Sequence, residues 1–298
     1  MAEKISFYDH ISSNLWKSRV LILTISGFII FLGYIIGLFF IGVPLGIALA
    51  VIVGLIFILI GYYAGDSIIL SSSGAKPATK QSHPYLWNTV EGLSIAANLP
   101  MPKVYVINDT AINAFATGRD YTHASVTTTQ GALDKLNRQE LEGVLAHELS
   151  HIKNYDVRFM MLTTILVGVV VLLSDFLLRA FIFGGHNENR RVHPALIAVA
   201  FILAILSPII GEVMKLAISR RREYLADANG ALLTRYPPGL ADALKKIRDD
   251  KEPLVEAANK ATASLWIENP LRDRKVWLKT LFSTHPDIND RIKRLENM

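Results

Sequence analysis

Two histidines and a glutamate stand close together in the segment His147-Glu148-Leu149-Ser150-His151. The histidines are four residues apart, so on a helix both imidazole rings lie on one face and can reach one metal ion. Zinc accepts neutral imidazole nitrogen and keeps one position open for water in catalytic sites. The ion lowers the pKa of that water towards about 7, and Glu148 is placed to take its proton and pass it to a leaving amine. The spacing therefore predicts metal-assisted hydrolysis of a peptide bond.

A catalytic zinc site needs a third protein ligand. The chain contains no cysteine, so this ligand must be His, Asp or Glu. No histidine follows His151 at the short spacing of proteases that use three histidines. A downstream carboxylate on a second helix is the natural candidate, and Glu223 fits best, the alternative being a solvated charge beside three arginines. Asp227, one turn further on the same face, can accept the ring N–H of a ligating histidine.

Composition narrows the class of protein. Hydrophobic residues make up 51% of the 298 residues and charged residues 19%, which excludes a disordered chain and argues against an ordinary soluble globule. The absence of cysteine excludes a disulfide scaffold, a thiolate zinc site and a cysteine nucleophile. The net charge of +5 comes without a basic run that aromatic residues interrupt, so nucleic acid is not an expected partner.

The apolar residues are concentrated in blocks that are long enough to cross a lipid bilayer. Neither a charged residue nor a histidine occurs from Val20 to Tyr63, and one span needs only about 20 residues. The sequence therefore predicts two helical hairpins, about four transmembrane helices in all. The predicted spans are 20–40, 45–63, 159–183 and 194–216. A signal peptide is the alternative for the first block, and buried helices of a soluble core are the alternative for the second hairpin.

The Lys and Arg residues near the span ends predict the orientation, because positive charge favours the cytoplasmic side. They are concentrated in the N-terminal arm, after span two, before span three and after span four. We therefore expect a multi-pass protein of the cell membrane with both termini and the active site in the cytoplasm. The predicted division is an arm with the first hairpin (1–63), a cytoplasmic segment with the two-histidine helix (64–158), the second hairpin (159–218) and a cytoplasmic segment with the third ligand (219–298).

Short elements must position these residues. The helix that carries the histidines is predicted from Arg138 to about Lys153, because Asn137 and Glu140 form a capping-box pattern at its start. Periodicity predicts a further helix over 86–97, strands over 103–107, 114–117 and 124–128, a linker over 71–77, and helices after Arg222 with a break at 236–239. The fold class expected is mainly α with a small β-sheet.

The motifs together resemble those of the HtpX membrane metalloproteases, relatives of the zinc CAAX prenyl proteases. The resemblance rests on the segments His147–Asp156, Ser219–Asp227, Ile112–Ala116 and Ser283–Pro286, with Arg291 and Ile292 after the last. It implies a zincin-like (gluzincin) domain in which His147, His151 and Glu223 bind one zinc ion and Glu148 is the catalytic base. It also implies an endopeptidase of the cytoplasmic membrane that degrades misfolded or damaged membrane proteins in a stress response.

Three further groups each have two alternative roles. Asn113, Ala114, Phe115 and Ala116 either pair with an extended substrate backbone or form an ordinary strand. His285 either donates to the developing oxyanion or caps the C-terminal helix. Arg220–Arg222 either contact substrate or, as we expect, contact anionic lipid headgroups.

The function expected is that of a zinc endopeptidase that acts on polypeptides at the bilayer surface. One alternative is a membrane scaffold or chaperone that binds zinc without proteolysis, and another is a CAAX-type processing protease. Glu148 favours an enzyme, because a structural zinc site needs no base beside the metal. Two spans before the histidine helix fit the HtpX proteases better than the CAAX enzymes, which have more.

Overall fold

A computed structural model of the chain describes residues 7–165, 220–250, 252, 266–267 and 286–298. Most of the predicted second hairpin and His285 lie outside these residues. In chain order the elements are α1 (Phe7–Ile36), α2 (Val43–Ser72), β1 (Lys76–Pro77), α3 (Pro84–Ala97), β2 (Lys103–Ile107), β3 (Ala114–Asp120), β4 (His123–Thr129), α4 (Gln130–Lys135), α5 (Arg138–Lys153), α6 (156–165), α7 (Arg220–Thr234), α8 (Pro237–Asp249) and α9 (Ile288–Glu296).

Helices α1 and α2 form an antiparallel pair. They are joined by a π-helical turn over Gly37–Ile41 and by Gly42, whose φ of 87° favours a residue without a Cβ. The two helices touch closely, because a Cβ at Gly33 would lie 2.6 Å from the carbonyl oxygen of Gly46. The stretches 12–31 and 43–72 are long and apolar enough to cross a membrane, and most of their surface is not covered by protein.

Both helices extend past the predicted spans. Helix α2 continues beyond Tyr63 to Ser72, so Asp66 is a helical residue. The Ser125 hydroxyl donates a 2.9 Å hydrogen bond to the Asp66 carboxylate. Asp66, the first charged residue after the predicted span, therefore lies within α2 and has a partner in the sheet.

The four strands form one mixed sheet in the order β1-β2-β4-β3. Strands β2 and β4 are parallel, whereas β1 pairs with β2 and β3 pairs with β4 in antiparallel fashion. The predicted strands at 103–107, 114–117 and 124–128 are confirmed, the last two with longer bounds. The predicted linker contains β1, a two-residue strand that is too short to show a periodic pattern.

The sheet is covered on both faces. One face contributes Ala114, Ala116 and Val126 to a core that includes the apolar side of α5. The other face contributes Ile107 and Phe115 to a second core near the ends of α1 and α2. This second core also contains Leu21, Ile69, Leu70, Met161 and Trp266. The sheet therefore connects the α1–α2 pair to the histidine helix.

Helix α5 has the start and the end that the sequence predicts. The Asn137 side chain accepts from the Glu140 backbone N–H at 3.0 Å, and the Glu140 carboxylate accepts from the Asn137 N–H at 2.6 Å. This reciprocal pair satisfies two backbone donors at the helix start and confirms the capping box. Helix α5 packs against α7 and α8. The predicted break between those two helices is present, but it lies at Arg235 and Tyr236, because residues 237–239 form the first turn of α8.

Candidate metal centre

The candidate metal centre lies between α5 and α7. The residues Leu141, Val144, Leu145 and Leu149 turn one side of α5 towards the apolar core, and His147 and His151 lie beside α7. Helix α7 comes close at this point because Gly230 has no side chain. A Cβ at Gly230 would lie 3.0 Å from the His147 backbone nitrogen.

The three predicted ligands converge on one point. The Nε2 atoms of His147 and His151 are 3.2 Å apart. The Glu223 carboxylate oxygens lie 3.7 Å from His147 Nε2 and 3.6 Å from His151 Nε2. Two donor atoms on a tetrahedral zinc ion with bonds of about 2.0–2.1 Å lie about 3.3 Å apart. All three side chains are buried and their donor set of two imidazoles and one carboxylate suits zinc, so these residues fit that ion.

The His147 ring is contacted by Asp227 on the side opposite the ligand cluster. Its Nδ1 lies 2.9 Å from the Asp227 carboxylate, as the sequence predicts for Asp227. Arg291 of α9 donates to both oxygens of the same carboxylate at 2.7 and 2.9 Å. Burial raises the pKa of Asp227, but the Arg291 charge and the adjacent His147 ring together lower it to about 2. The carboxylate therefore stays ionised and keeps Nε2 of His147 directed at the ligand cluster.

The His151 ring is held by a residue that the sequence analysis did not single out. Its Nδ1 forms a 3.0 Å hydrogen bond with Asp156, which lies just past the end of α5. Burial lowers the pKa of His151, but this hydrogen bond and the nearby carboxylates of Asp156 and Glu223 raise it to about 9. In the sequence Asp156 belongs to the HtpX-like motif, but its contact with His151 could not be inferred from helical spacing. Helix α5 ends at Lys153, so residues 151 and 156 are not on one helix.

Arg222 corrects one prediction. We expected Arg220–Arg222 at lipid headgroups, yet the Arg222 side chain is buried. Its guanidinium lies 3.6 Å from the Asp156 carboxylate and over the Phe159 ring. Burial lowers the pKa of Arg222, and the charge of Asp156 opposes that shift. The expectation failed because the arginine run was treated as one cluster, whereas consecutive helical residues point in different directions.

Glu148 lies beside the ligand cluster and is only 2% exposed. Burial raises the pKa of its carboxyl group, although the neighbouring His147 and His151 charges oppose the shift. A carboxylate with a raised pKa holds a proton more firmly and so accepts one more readily from water. The structure therefore places a basic group next to the point where the three ligands meet.

The predicted substrate strand is an edge of the sheet. Strand β3 pairs only with β4 among the described strands. The Ala114 carbonyl accepts from the Ile267 N–H at 3.0 Å, and the Ala114 N–H donates to the Asn113 side chain at 3.0 Å. Backbone groups alternate along a strand, so those of Ala116 face the same edge as those of Ala114. Phe115 is buried against the Trp266 ring. His285 lies outside the described residues.

Known proteins are similar to this chain over most of its length. Residues 80–298 match the model of peptidase family M48. A protease HtpX homolog of Dictyoglomus thermophilum is 47% identical over 296 residues, which cover 98% of this chain and 95% of that protein. A protease HtpX homolog of Listeria monocytogenes is 40% identical over 304 residues, with 98% and 99% covered.

One solved structure extends the likeness to the fold. The crystal structure of S. mikatae Ste24p aligns with a TM-score of 0.52 at 20% sequence identity, and it covers 97% of this chain and 67% of that chain. At this identity the likeness concerns the fold alone. The family match covers the residues that carry the ligand cluster, and the HtpX homologs align over nearly the full length. This chain therefore belongs to peptidase family M48 and is a relative of the HtpX proteases.

Proposed function

We propose that this chain is a membrane-integrated zinc endopeptidase that cleaves misfolded or damaged membrane proteins at the cytoplasmic face. The observation that carries the proposal is the buried Glu148 carboxyl group beside the converging atoms of His147, His151 and Glu223. A site that only stabilised the fold would need no such base. Membership of a peptidase family supports the same activity.

Different side chains would bind the metal, transfer the proton and orient the ligands. His147, His151 and Glu223 would hold the ion, which would supply an activated water and polarise the scissile carbonyl. Glu148 takes the proton of the attacking water and delivers it to the leaving amine. Asp227 and Asp156 keep the two rings oriented through their Nδ1 atoms. The two histidine rings are thus held in orientation before substrate arrives.

Strand β3 pairs only with β4 among the described strands, which supports a substrate strand at Asn113, Ala114, Phe115 and Ala116. An extended polypeptide can add to a strand edge through main-chain hydrogen bonds. Main-chain pairing tolerates many side chains, which suits an enzyme that removes damaged proteins of varied sequence. The Ala114 carbonyl already accepts from the Ile267 N–H, so a substrate that pairs at this position must displace that contact.

The hairpin of α1 and α2 supports the membrane location. Trp16 and Tyr63 are 62% and 65% exposed and lie near the same end of the two apolar stretches. Exposed Trp and Tyr are typical of the bilayer interface. The excess of Lys and Arg outside these ends supports a cytoplasmic location for the catalytic residues. The site then lies within reach of cytoplasmic loops of membrane proteins.

The test compares the purified, detergent-solubilised protein with its Glu148→Gln variant. Zinc per chain is measured by mass spectrometry, and cleavage of an unfolded test protein is followed with and without a chelator. We expect one zinc ion per chain in both, and chelator-sensitive cleavage only in the wild type. Glu142→Gln is the matched control, because Glu142 lies on the same helix and pairs with Arg138 at the surface.

Each other outcome has a definite meaning. Cleavage by Glu148→Gln at the wild-type rate would show that Glu148 is not the base. A wild-type chain without zinc would contradict the metal site. Zinc in both proteins and cleavage by neither would favour the scaffold alternative. Cleavage only of a prenylated peptide would favour the CAAX-type alternative.

A further inference from the structure

Helix α1 reaches the metal centre through one buried side chain, that of Asn14. The Asn14 amide nitrogen donates to the Asp156 carboxylate at 2.7 Å and to the Asn154 carbonyl at 3.0 Å. Asn14 is 3% exposed, although it belongs to one of the two helices that are long and apolar enough to cross a membrane. Burying a polar side chain in such a helix costs free energy unless its hydrogen bonds are made. The two bonds of Asn14 offset this cost.

The two acceptors of Asn14 lie on either side of a strained turn. Between Asn154 and Asp156 the chain passes through Tyr155, whose φ is 59°. A left-handed conformation is unfavourable for a residue with a side chain. This turn brings Asp156 back towards His151 after α5 has ended. Asn14 uses both hydrogens of its amide to fasten the two flanks of the turn.

The Asp156 carboxylate is held by residues from three separate parts of the chain. One oxygen, Oδ2, bonds to His151 of α5. The other oxygen, Oδ1, accepts from Asn14 of α1 and lies 3.6 Å from the Arg222 guanidinium of α7. A carboxylate with both oxygens engaged cannot rotate freely. The direction of the His151 ring therefore depends on a contact made by a membrane helix.

We propose that Asn14 is a positioning residue of the metal centre, which holds the Asp156 carboxylate that orients His151 and thereby makes helix α1 a part of the zinc site. The inference rests on the proposed zinc function. It assigns α1 a role beyond anchoring, because release of α1 from the water-facing part would loosen one of the three ligands.

The test measures zinc affinity in the Asn14→Leu variant by competition with a chelator of known affinity. Leucine has a similar shape and keeps the helix apolar, but it removes both donors. Loss of a partner behind a zinc ligand typically weakens affinity by about 10–100-fold. Asn14 contacts His151 only through Asp156, so we expect a loss of zinc affinity at the lower end of this range, about tenfold. The cobalt-substituted protein should also show a changed visible absorption spectrum, since that spectrum reports ligand geometry.

The matched control is Ser18→Ala, one turn further along α1. Ser18 is equally buried, but its hydroxyl donates only to the Asn14 carbonyl of its own helix. We expect wild-type zinc affinity and a wild-type cobalt spectrum for this variant. An equal loss in both variants would mean that α1 acts by packing alone, and the inference would be overturned.

A double-mutant cycle tests the route of the effect. If Asn14 acts through Asp156, then Asn14→Leu should cause no further loss of zinc affinity in an Asp156→Ala background. Additive losses would overturn the inference. Unfolding of each metal-free variant checks that the fold is intact, and Asn14→Ala repeats the measurement if Asn14→Leu does not fold.

Failure of the inference can be told apart from failure of the proposed function. His147→Ala should remove zinc from the chain regardless of what Asn14 does. A wild type without zinc would refute the zinc function itself. A wild type with one zinc ion and an Asn14→Leu variant with the same affinity would refute only the role of Asn14.

Discussion

Arg291 donates to Asp227 through Nε at 2.9 Å and through Nη2 at 2.7 Å. Both side chains are buried, and the other contact of this carboxylate is the His147 ring. Arg291 of α9 thus holds Asp227, and Asp227 in turn holds the predicted metal ligand His147 of α5. The pair also crosses from α9 to α7, so it belongs to the fold as well as to the site.

Replacing Arg291 with Met should destabilise the protein by about 3–5 kcal/mol, because the Asp227 charge would remain buried without its partner. Chemical unfolding in detergent would measure the loss. Arg294→Met is the control, since Arg294 is exposed and lies 4.0 Å over the Tyr224 ring, a contact worth about 0.5–1 kcal/mol at the surface. Similar losses in the two variants would contradict a special role for the buried pair.

The Glu223→Ala variant should bind zinc far more weakly, because one of three ligands is gone. Loss of an outer partner alone costs about 10–100-fold in affinity, so loss of a ligand should exceed about 100-fold. Chelator competition on the purified protein gives the value. Glu142→Ala serves as the control, as Glu142 pairs with Arg138 on the outer side of α5. Unchanged zinc affinity in Glu223→Ala would remove this residue from the ligand set.

Two Gly→Ala substitutions in helices should have opposite effects on stability. A Cβ at Gly143 would lie 2.6 Å from the Leu240 backbone nitrogen, so α5 and α8 would have to separate. Overpacking of this kind costs about 1–3 kcal/mol. A Cβ at Gly92 meets nothing within 4 Å, so Gly92→Ala should gain up to about 1 kcal/mol of helix propensity. Thermal unfolding of both variants checks the signs, and stabilisation by Gly143→Ala would contradict the packing.

Acid should weaken the β3–β4 turn in a defined pH window. Burial raises the pKa of Asp120, but hydrogen bonds from Thr122 and His123 outweigh it and lower the pKa from 3.8 to about 2. The folded state therefore binds fewer protons than the unfolded state in this range. The stabilisation by Asp120 is complete above pH 3.8 and is lost as the pH falls through about 2.

The Asp120→Ala variant tests this titration. The stability difference between wild type and variant should be constant above about pH 5 and should shrink as the pH approaches 2. Thermal unfolding at several pH values measures the difference. A difference that does not change between pH 5 and pH 2 would show that the charge of Asp120 contributes nothing to folding.

Local signals were sufficient for the parts of the fold that depend on local physics. The capping residues Asn137 and Glu140 predict the start of α5, and the alternation of apolar and polar residues predicts β2. The ligand set could also be predicted from the sequence. His147 and His151 share a helix face, and the absence of cysteine restricts the third ligand to His, Asp or Glu. That these residues act as ligands remains a prediction, although the structure brings their donor atoms together.

Apart from Asp227, the residues that hold the ligands in orientation were not accessible from the sequence. Asn14 precedes the long apolar block and looks like an ordinary polar residue of its flank. Its partner Asp156 lies 142 positions away in the chain, and no periodic pattern connects two such positions. The burial of Arg222 was missed for the same reason, since only the packing of α7 shows which arginine faces inward. Non-local polar contacts of this kind leave no trace in periodicity or composition.

The metal centre draws on positions that are far apart in the chain, with Asn14 contacting the partner of His151 and Arg291 contacting the partner of His147, and this arrangement has a consequence for biosynthesis. Synthesis runs from the N-terminus to the C-terminus, so a nascent chain carries both histidines and Glu223 before it carries Arg291. Until Arg291 has been added, Asp227 lacks its cation. The fully ordered centre can therefore form only after α9 has been made.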